Sequence, residues 1–360
     1  MRLQLVMAAA LLAASLPVRA DAQSLAKIDT RSGLYQDTDR TTIITNNVAA
    51  RGQAGVFGVQ ARYLVDVISS ASVDVVTAAT GRFHEVRQET EGGLSYKDDD
   101  RKISGSYIYS TENDWSSHTG TASLLQDVAR HAVTLKLAGS YVANDVGRAG
   151  DPNFHRRLTV AGGSAGATFV ASPRDLVDLG YTLSYGDGYQ ASPYRFVFLR
   201  ASAGPLGAAM PETDPRVRVR HAVTLRYNRH LFHDTALRSH ARAYIDDWGV
   251  ASVTAGTEYV VGFGNWETGL FVRGYGQQHA TFYQPEYATP MKYMTADREL
   301  ATFFDAFGGA RLAWRRTRLG PFEEMHAEAK ASGFYFHFID FPRLESRSGI
   351  IGEIALGVVF

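Results

Sequence analysis

"RVRVRHAVTLRYN" occupies residues 216–228. Taken at period two, Val217, Val219, Val223, Leu225 and Tyr227 form an apolar face, and Arg216, Arg218, Arg220, Thr224, Arg226 and Asn228 form a polar one. Such alternation marks a strand with two unlike faces. The run is long beside the ~5–6 residues typical of a soluble strand. A β-sandwich strand also alternates, so length and connections must decide between a sandwich and a barrel.

The pattern recurs along the chain. In "RHAVTLKLAGSY" (130–141) Val133, Leu135, Leu137 and Tyr141 oppose Thr134, Lys136 and Ser140. In "VFGVQARYLVDV" (56–67) Phe57, Val59, Tyr63 and Val65 oppose Gln60, Arg62 and Asp66. Many connections are short, among them "KDDDR", "ENDW", "SPRD" and "GFGN". Long strands in an up-and-down meander, apolar outside and polar inside, predict an all-β fold: a transmembrane antiparallel β-barrel. Runs near 40–51, 55–67, 82–97, 101–111, 115–127, 130–143, 156–172, 175–187, 193–201, 215–229, 234–246, 248–262, 265–277, 301–315, 322–337 and 348–360 give about 16 strands, with 14–18 as the range. The first and ninth runs are the weakest.

"GEIALGVVF" (352–360) fits the closing strand. Ile354, Leu356, Val358 and Phe360 share an apolar, lipid-directed face, and Phe360 is expected at the periplasmic interface as part of a C-terminal assembly signal. Counting back from it places 202–214, 278–300 and 338–347 outside the cell. The same count puts the long "ISSASVDVVTAATG" connection in the periplasm, against the rule that long loops are extracellular.

Residues 1–22 read as a cleaved signal peptide: Arg2, the apolar run Leu5–Leu16 and the small-residue site "ADA" (20–22). Residues 23–39 are a short periplasmic segment or an extra strand, and 40–360 the barrel. The location expected is the outer membrane of a Gram-negative cell. Lys plus Arg equals Asp plus Glu at 37 each, which gives no footing for a nucleic-acid partner, and Cys is absent. Outer-membrane lipid, the barrel-assembly machinery and periplasmic proteins are the expected partners. The one GxSxG match, "GGSAG" (162–166), falls in a strand-like run of small side chains and not at a strand-to-helix turn; no HExxH, GxxxxGK[ST] or CxxC occurs, so neither an enzyme nor a cofactor is expected.

Several stretches resemble one family. They are "YLVDVISSASVDVVTAAT" (63–80) with "EVRQE" (85–89), "DGYQASPYR" (187–195), "AYIDDWGVAS" (243–252), "RGYGQQHATFY" (273–283) and "MTADREL" (294–300). Together they resemble the bacterial domain-of-unknown-function family 3570. The resemblance implies an outer-membrane β-barrel and an association with exported redox proteins. It implies no activity and no catalytic residues. "LVDVISSAS" departs from it in lacking a glycine.

The inward faces carry the candidate chemistry. Arg216, Arg218, Arg220 and Arg226 on one strand and Arg238, His240 and Arg242 on the next form a basic patch. Glu85, Glu89 and Glu91 on an early strand, and Glu324, Glu328 and Glu353 near the end, form acidic ladders. Opposed walls would set a transverse field in an aqueous channel; alternatively, the charges pair between neighbouring strands. Glu324, His326 and Glu328 point inward together and are a weak metal candidate, short of a fourth ligand. The leading expectation is a porin-like channel for small polar solutes. The rival is a closed structural barrel that serves as a scaffold for periplasmic, redox-linked partners.

Overall fold

The computed structural model describes residues 24–70, 83–200 and 209–360. Residues 1–22, expected to be a leader, and most of the 68–81 connection lie outside them. Sixteen antiparallel strands close into one barrel. They are β1 (Ser24–Asp37), β2 (Thr41–Ala54), β3 (Phe57–Ser70), β4 (Phe83–Lys97), β5 (Arg101–Thr111), β6 (Trp115–Val128), β7 (Val133–Val146), β8 (Arg156–Ser172) and β9 (Asp175–Gly188). After two short strands outside the barrel, β10 (Phe196–Phe198) and β11 (Ala209–Pro211), come β12 (Val217–His230), β13 (Thr235–Asp246), β14 (Ala251–Phe263), β15 (Trp266–Gln277), β16 (Phe303–Leu319), β17 (Phe322–Phe338) and β18 (Ser346–Val359).

The strand count agrees with the sequence, but through two offsetting changes. Residues 24–37 form β1, which pairs with β18 from Lys27↔Val359 to Asp37↔Gly349 and closes the ring. The expected ninth strand, 193–201, is not in the barrel wall. Pro193 and the aromatic-rich "YRFVF" have no clean alternation, and only Phe196–Phe198 is extended, paired with β11. The direction of the strands before that segment, and so the rim each connection occupies, reverses with this correction, while the side-chain parity stays. β3 ends and β4 begins at the rim away from the chain ends, which is the rim of the long loops.

The opposite rim has tight turns, including Gly55-Val56 and Gly264-Asn265. Gly55 and Gly264 have φ of +57° and +60°, as the favoured two-residue hairpin turns require. A 14-residue strand such as β12 rises about 3.3 Å per residue. At a tilt of about 40° it covers roughly 35 Å, more than the ~25 Å apolar band of such barrels. The outward parity holds where it was expected: Leu225, Leu137, Val59 and Ile354 are all exposed. Phe360 packs edge-on against Phe322 with centroids 5.1 Å apart, and its N–H donates to Ala26 O at 2.8 Å.

Candidate functional site: the charged lumen and its cap

Inward alternation brings the predicted charges into the lumen, where most find local partners. Glu89 and Glu91 receive Arg62 at 2.5 and 2.9 Å, and Arg87 also reaches Glu89 at 2.9 Å. Glu85 is buried near Glu112 and Asp114 of the β5–β6 turn. Near the closing strands, Glu328 lies 3.4 Å from Arg311, Glu324 3.5 Å from Arg315 and Glu353 3.9 Å from Arg31. The acidic ladders are therefore interleaved with cations and do not form bare walls.

The basic patch divides. Arg216 lies at the rim, bound to Asp187 at 2.6 Å. Arg218 is enclosed: Nε and Nη2 both donate to Asp246 at 2.8 and 2.6 Å, and the guanidinium sits 4.2 Å above the Trp248 ring. Arg220 stands opposite Asp246 in the β12–β13 register. Arg242 lies 5.5 Å from the Tyr244 ring. Only Arg226, Arg238 and His240 line the large mid-lumen cavity of about 550 Å³.

That cavity also draws on cations outside the expected basic patch: Arg31, Arg273, Arg311 and Lys330. Its lining carboxylates are Glu258, Glu328 and Glu353. Arg311 is the hub, reaching Glu258 at 3.1 Å, Glu328 at 3.4 Å and Glu267. Away from that hub the acids are recessed and the cationic heads project, whereas Arg311 itself is 14% exposed against 31% for Glu328 and 38% for Glu267. Arg226 is 61% exposed against 14% for its partner Asp178, and Arg273 is 35% exposed against 4% for Asp305. The three residues of the weak metal candidate have separate partners. His326 Nε2 meets Asp29 at 3.0 Å and Nδ1 lies 3.6 Å from Glu324, while Glu328 belongs to Arg311.

The second feature is a cap of loops at the long-loop rim, which sequence reading did not anticipate. Residues 189–200 and 209–216 pack against 278–302 around Val197, Tyr287, Met294 and Ala296, all nearly sealed from solvent. Tyr287 accepts Thr295 N–H at 2.8 Å and donates to Phe282 O at 2.5 Å. Glu212 joins the two segments. It accepts Thr295 Oγ1–H at 3.0 Å and Ala296 N–H at 2.9 Å, with Arg195 at 3.6 Å. Arg195 also holds Asp297 at 2.5 Å. Burial pushes the Glu212 carboxyl up to about 8 and that of Asp214 up to about 7. Arg298 reaches Asp39 in the β1–β2 turn. Tyr194 donates to Asp114 in the β5–β6 turn and accepts Ala149 N–H, at 2.6 Å, from the β7–β8 connection.

The topology shows where the cap lies. Four barrel strands separate the β15–β16 loop from the β1–β2 turn, four separate it from the β9–β12 loop, and four separate that loop from the β5–β6 turn. Contacts between rim points a quarter of the ring apart require loops that reach inward over the mouth. A further apolar cluster, Trp248, Phe282, Tyr283, Leu300, Phe338 and Phe341, fastens the cap to the wall at β13–β14 and β17–β18.

Residues 151–317 match the family described as "Protein of unknown function (DUF3570)", in agreement with the resemblance read from the sequence. The search of curated proteins finds no match. Among solved structures, CdiB from Acinetobacter baumannii aligns with TM-score 0.50 at 8% identity; the alignment covers 95% of this chain and 61% of CdiB, so the chain spans about three-fifths of that protein. The outer membrane protein OpdK and OprD, both from Pseudomonas aeruginosa, align with TM-scores 0.45 and 0.44 at 7% and 6% identity; each alignment covers 99% of the relative and 94% and 96% of this chain. The family match spans fewer than half of the residues, and the likeness to CdiB shows the fold alone, a closed β-barrel.

Proposed function

We propose that the barrel is a pore for small polar solutes that favours anions. The observation that carries this reading is the mid-lumen cavity. Six cationic side chains and three carboxylates line it, and cationic heads project while several of their acidic partners sit behind them. Sixteen strands suffice to enclose an aqueous channel, and a charged constriction with low-dielectric walls focuses its field on the passing solute. The reading includes export through a leader at 1–22 and insertion by assembly machinery that engages the β18 strand. It involves no catalysis.

Liposome swelling tests it. Vesicles carrying the refolded barrel should admit a small organic anion faster than a cation of equal size. The triple variant Arg226→Gln, Arg238→Gln, Lys330→Gln should lose most of that difference. Equal entry of both ions into wild-type vesicles contradicts the anion preference.

The cap favours a second reading, in which the barrel rests closed and serves as a scaffold. Vesicles that admit neither ion, at any pH, would support it.

A further inference from the structure

A second recess of about 650 Å³ lies in the lower lumen, on β1–β6, toward the tight-turn rim. Inward-facing glycines hollow its wall. Gly58 stands opposite Ser95, and Gly93 opposite Gln60. The Ser95 and Gln60 side chains lie over the vacated positions: a Cβ at Gly58 would meet Ser95 Oγ at 2.5 Å, and one at Gly93 would meet Gln60 at 2.9 Å. The adjoining strands present two hydroxyl rungs, Ser104–Ser123 at 2.7 Å and Ser106–Thr121 at 2.8 Å.

The charges lining the recess are Lys27, Arg51 and Lys102 against one carboxylate, Glu91. Glu91 is already held by Arg62 at 2.9 Å and by Gln60 at 2.8 Å. Lys27 reaches Asp29 at 3.2 Å, and Arg51 lies 4.0 Å from the same acid. Lys102 has no ion pair among the described residues and stands opposite Lys97 in register. Like charges directly opposed are destabilising, and a bound anion would offset that repulsion. Hydroxyls rotate to donate or accept, so the rungs and the Gln60 amide suit neutral hydroxyl groups on the same solute.

The geometry points to a binding site for a small polyhydroxylated anion, of the sugar-acid or sugar-phosphate class, in this recess. Lys102 and Arg51 hold the charge; Gln60, Ser106 and Thr121 hold the hydroxyls. This names a solute class for the pore proposed above. It rests on that reading for the passage of the solute, though not for its binding.

Calorimetry on the detergent-folded barrel tests binding without any need for transport. D-glucuronate and glucose 6-phosphate should each bind about tenfold more tightly than D-glucose, which lacks the charge, or butyrate, which lacks the hydroxyls; about tenfold is expected when one charge-assisted hydrogen bond or a pair of neutral ones is lost. Comparing the two anions shows which source of charge the recess prefers. Lys102→Gln should weaken both anions about tenfold and leave glucose unchanged. Ser106→Ala with Thr121→Val should weaken glucuronate and leave butyrate unchanged; heat-modifiable migration confirms that each variant folds. Butyrate binding as tightly as glucuronate, or Lys102→Gln leaving both anions untouched, overturns the site. A barrel that conducts without binding glucuronate refutes the site and leaves the pore standing. One that binds glucuronate in wild type but passes no current keeps the site and refutes the pore.

Discussion

Leu225 and Thr224 are neighbours in β12 with opposite surroundings. Leu225 faces lipid and is 45% exposed on the isolated chain, while Thr224 faces the lumen opposite Arg242. An arginine facing lipid at mid-bilayer costs about 2–4 kcal/mol, and one in the lumen keeps its water. Leu225→Arg should therefore lower outer-membrane abundance and the denaturant midpoint, and Thr224→Arg should change both little. Equal effects would mean the faces are reversed. Arg218 shows how a residue's role can differ from its sequence pattern. Its parity places it on the inner face, but Asp246 and Trp248 enclose it, so it is not available to a passing ion. Breaking an enclosed pair leaves an uncompensated charge and costs about 3–5 kcal/mol. Asp246→Ala should lower the stability of the folded barrel and leave ion preference as it was, as measured by unfolding and reversal potential on the same preparation.

At the scale of elements, alternation made the wall legible and left the cap hidden. Every strand from β12 to β18 could be placed from period two, because each must meet lipid on one face and water on the other. β1 was left open because the outward residues of "KIDTRSGLYQD" (27–37), Ile28, Thr30, Ser32, Leu34 and Gln36, mix polar with apolar side chains, a weak pattern on its own. Segments 189–200, 209–216 and 278–302 have no period because they pack by irregular contacts around Tyr287, Glu212 and Trp248. A signal was nevertheless present. "DGYQASPYR", "AYIDDWGVAS", "RGYGQQHATFY" and "MTADREL", which carry the family resemblance, converge on the cap. The cap should respond to pH. Glu212 has a folded-state pKa raised to about 8, above the ~4.3 of a free glutamate, so its docking is strongest below about 4 and is lost as pH rises through 8. Proteolysis within 278–302 should accelerate between pH 5 and 8.5, and Glu212→Gln should flatten much of that rise. A rate independent of pH in the wild type would show that Glu212 does not control the docking.

At the scale of the molecule, a closed ring carries an apolar face outside, charge inside and loops folded over one mouth. Of the two arrangements expected, opposed walls or charges paired between neighbouring strands, the lumen has interleaved pairs. Exposed pairs are individually worth only about 0–1 kcal/mol, so what matters for a solute is which heads project, and around the mid-lumen cavity the projecting heads are mainly cationic. That balance could not be read from strand parity, since it depends on which acids lie behind which arginines across neighbouring strands. The most direct test is the reversal potential of single barrels in a planar bilayer under a KCl gradient at pH 8. A potential displaced toward the chloride equilibrium value is the result expected. A potential at the potassium value, or an electrically silent barrel, would contradict the account of an anion-favouring pore.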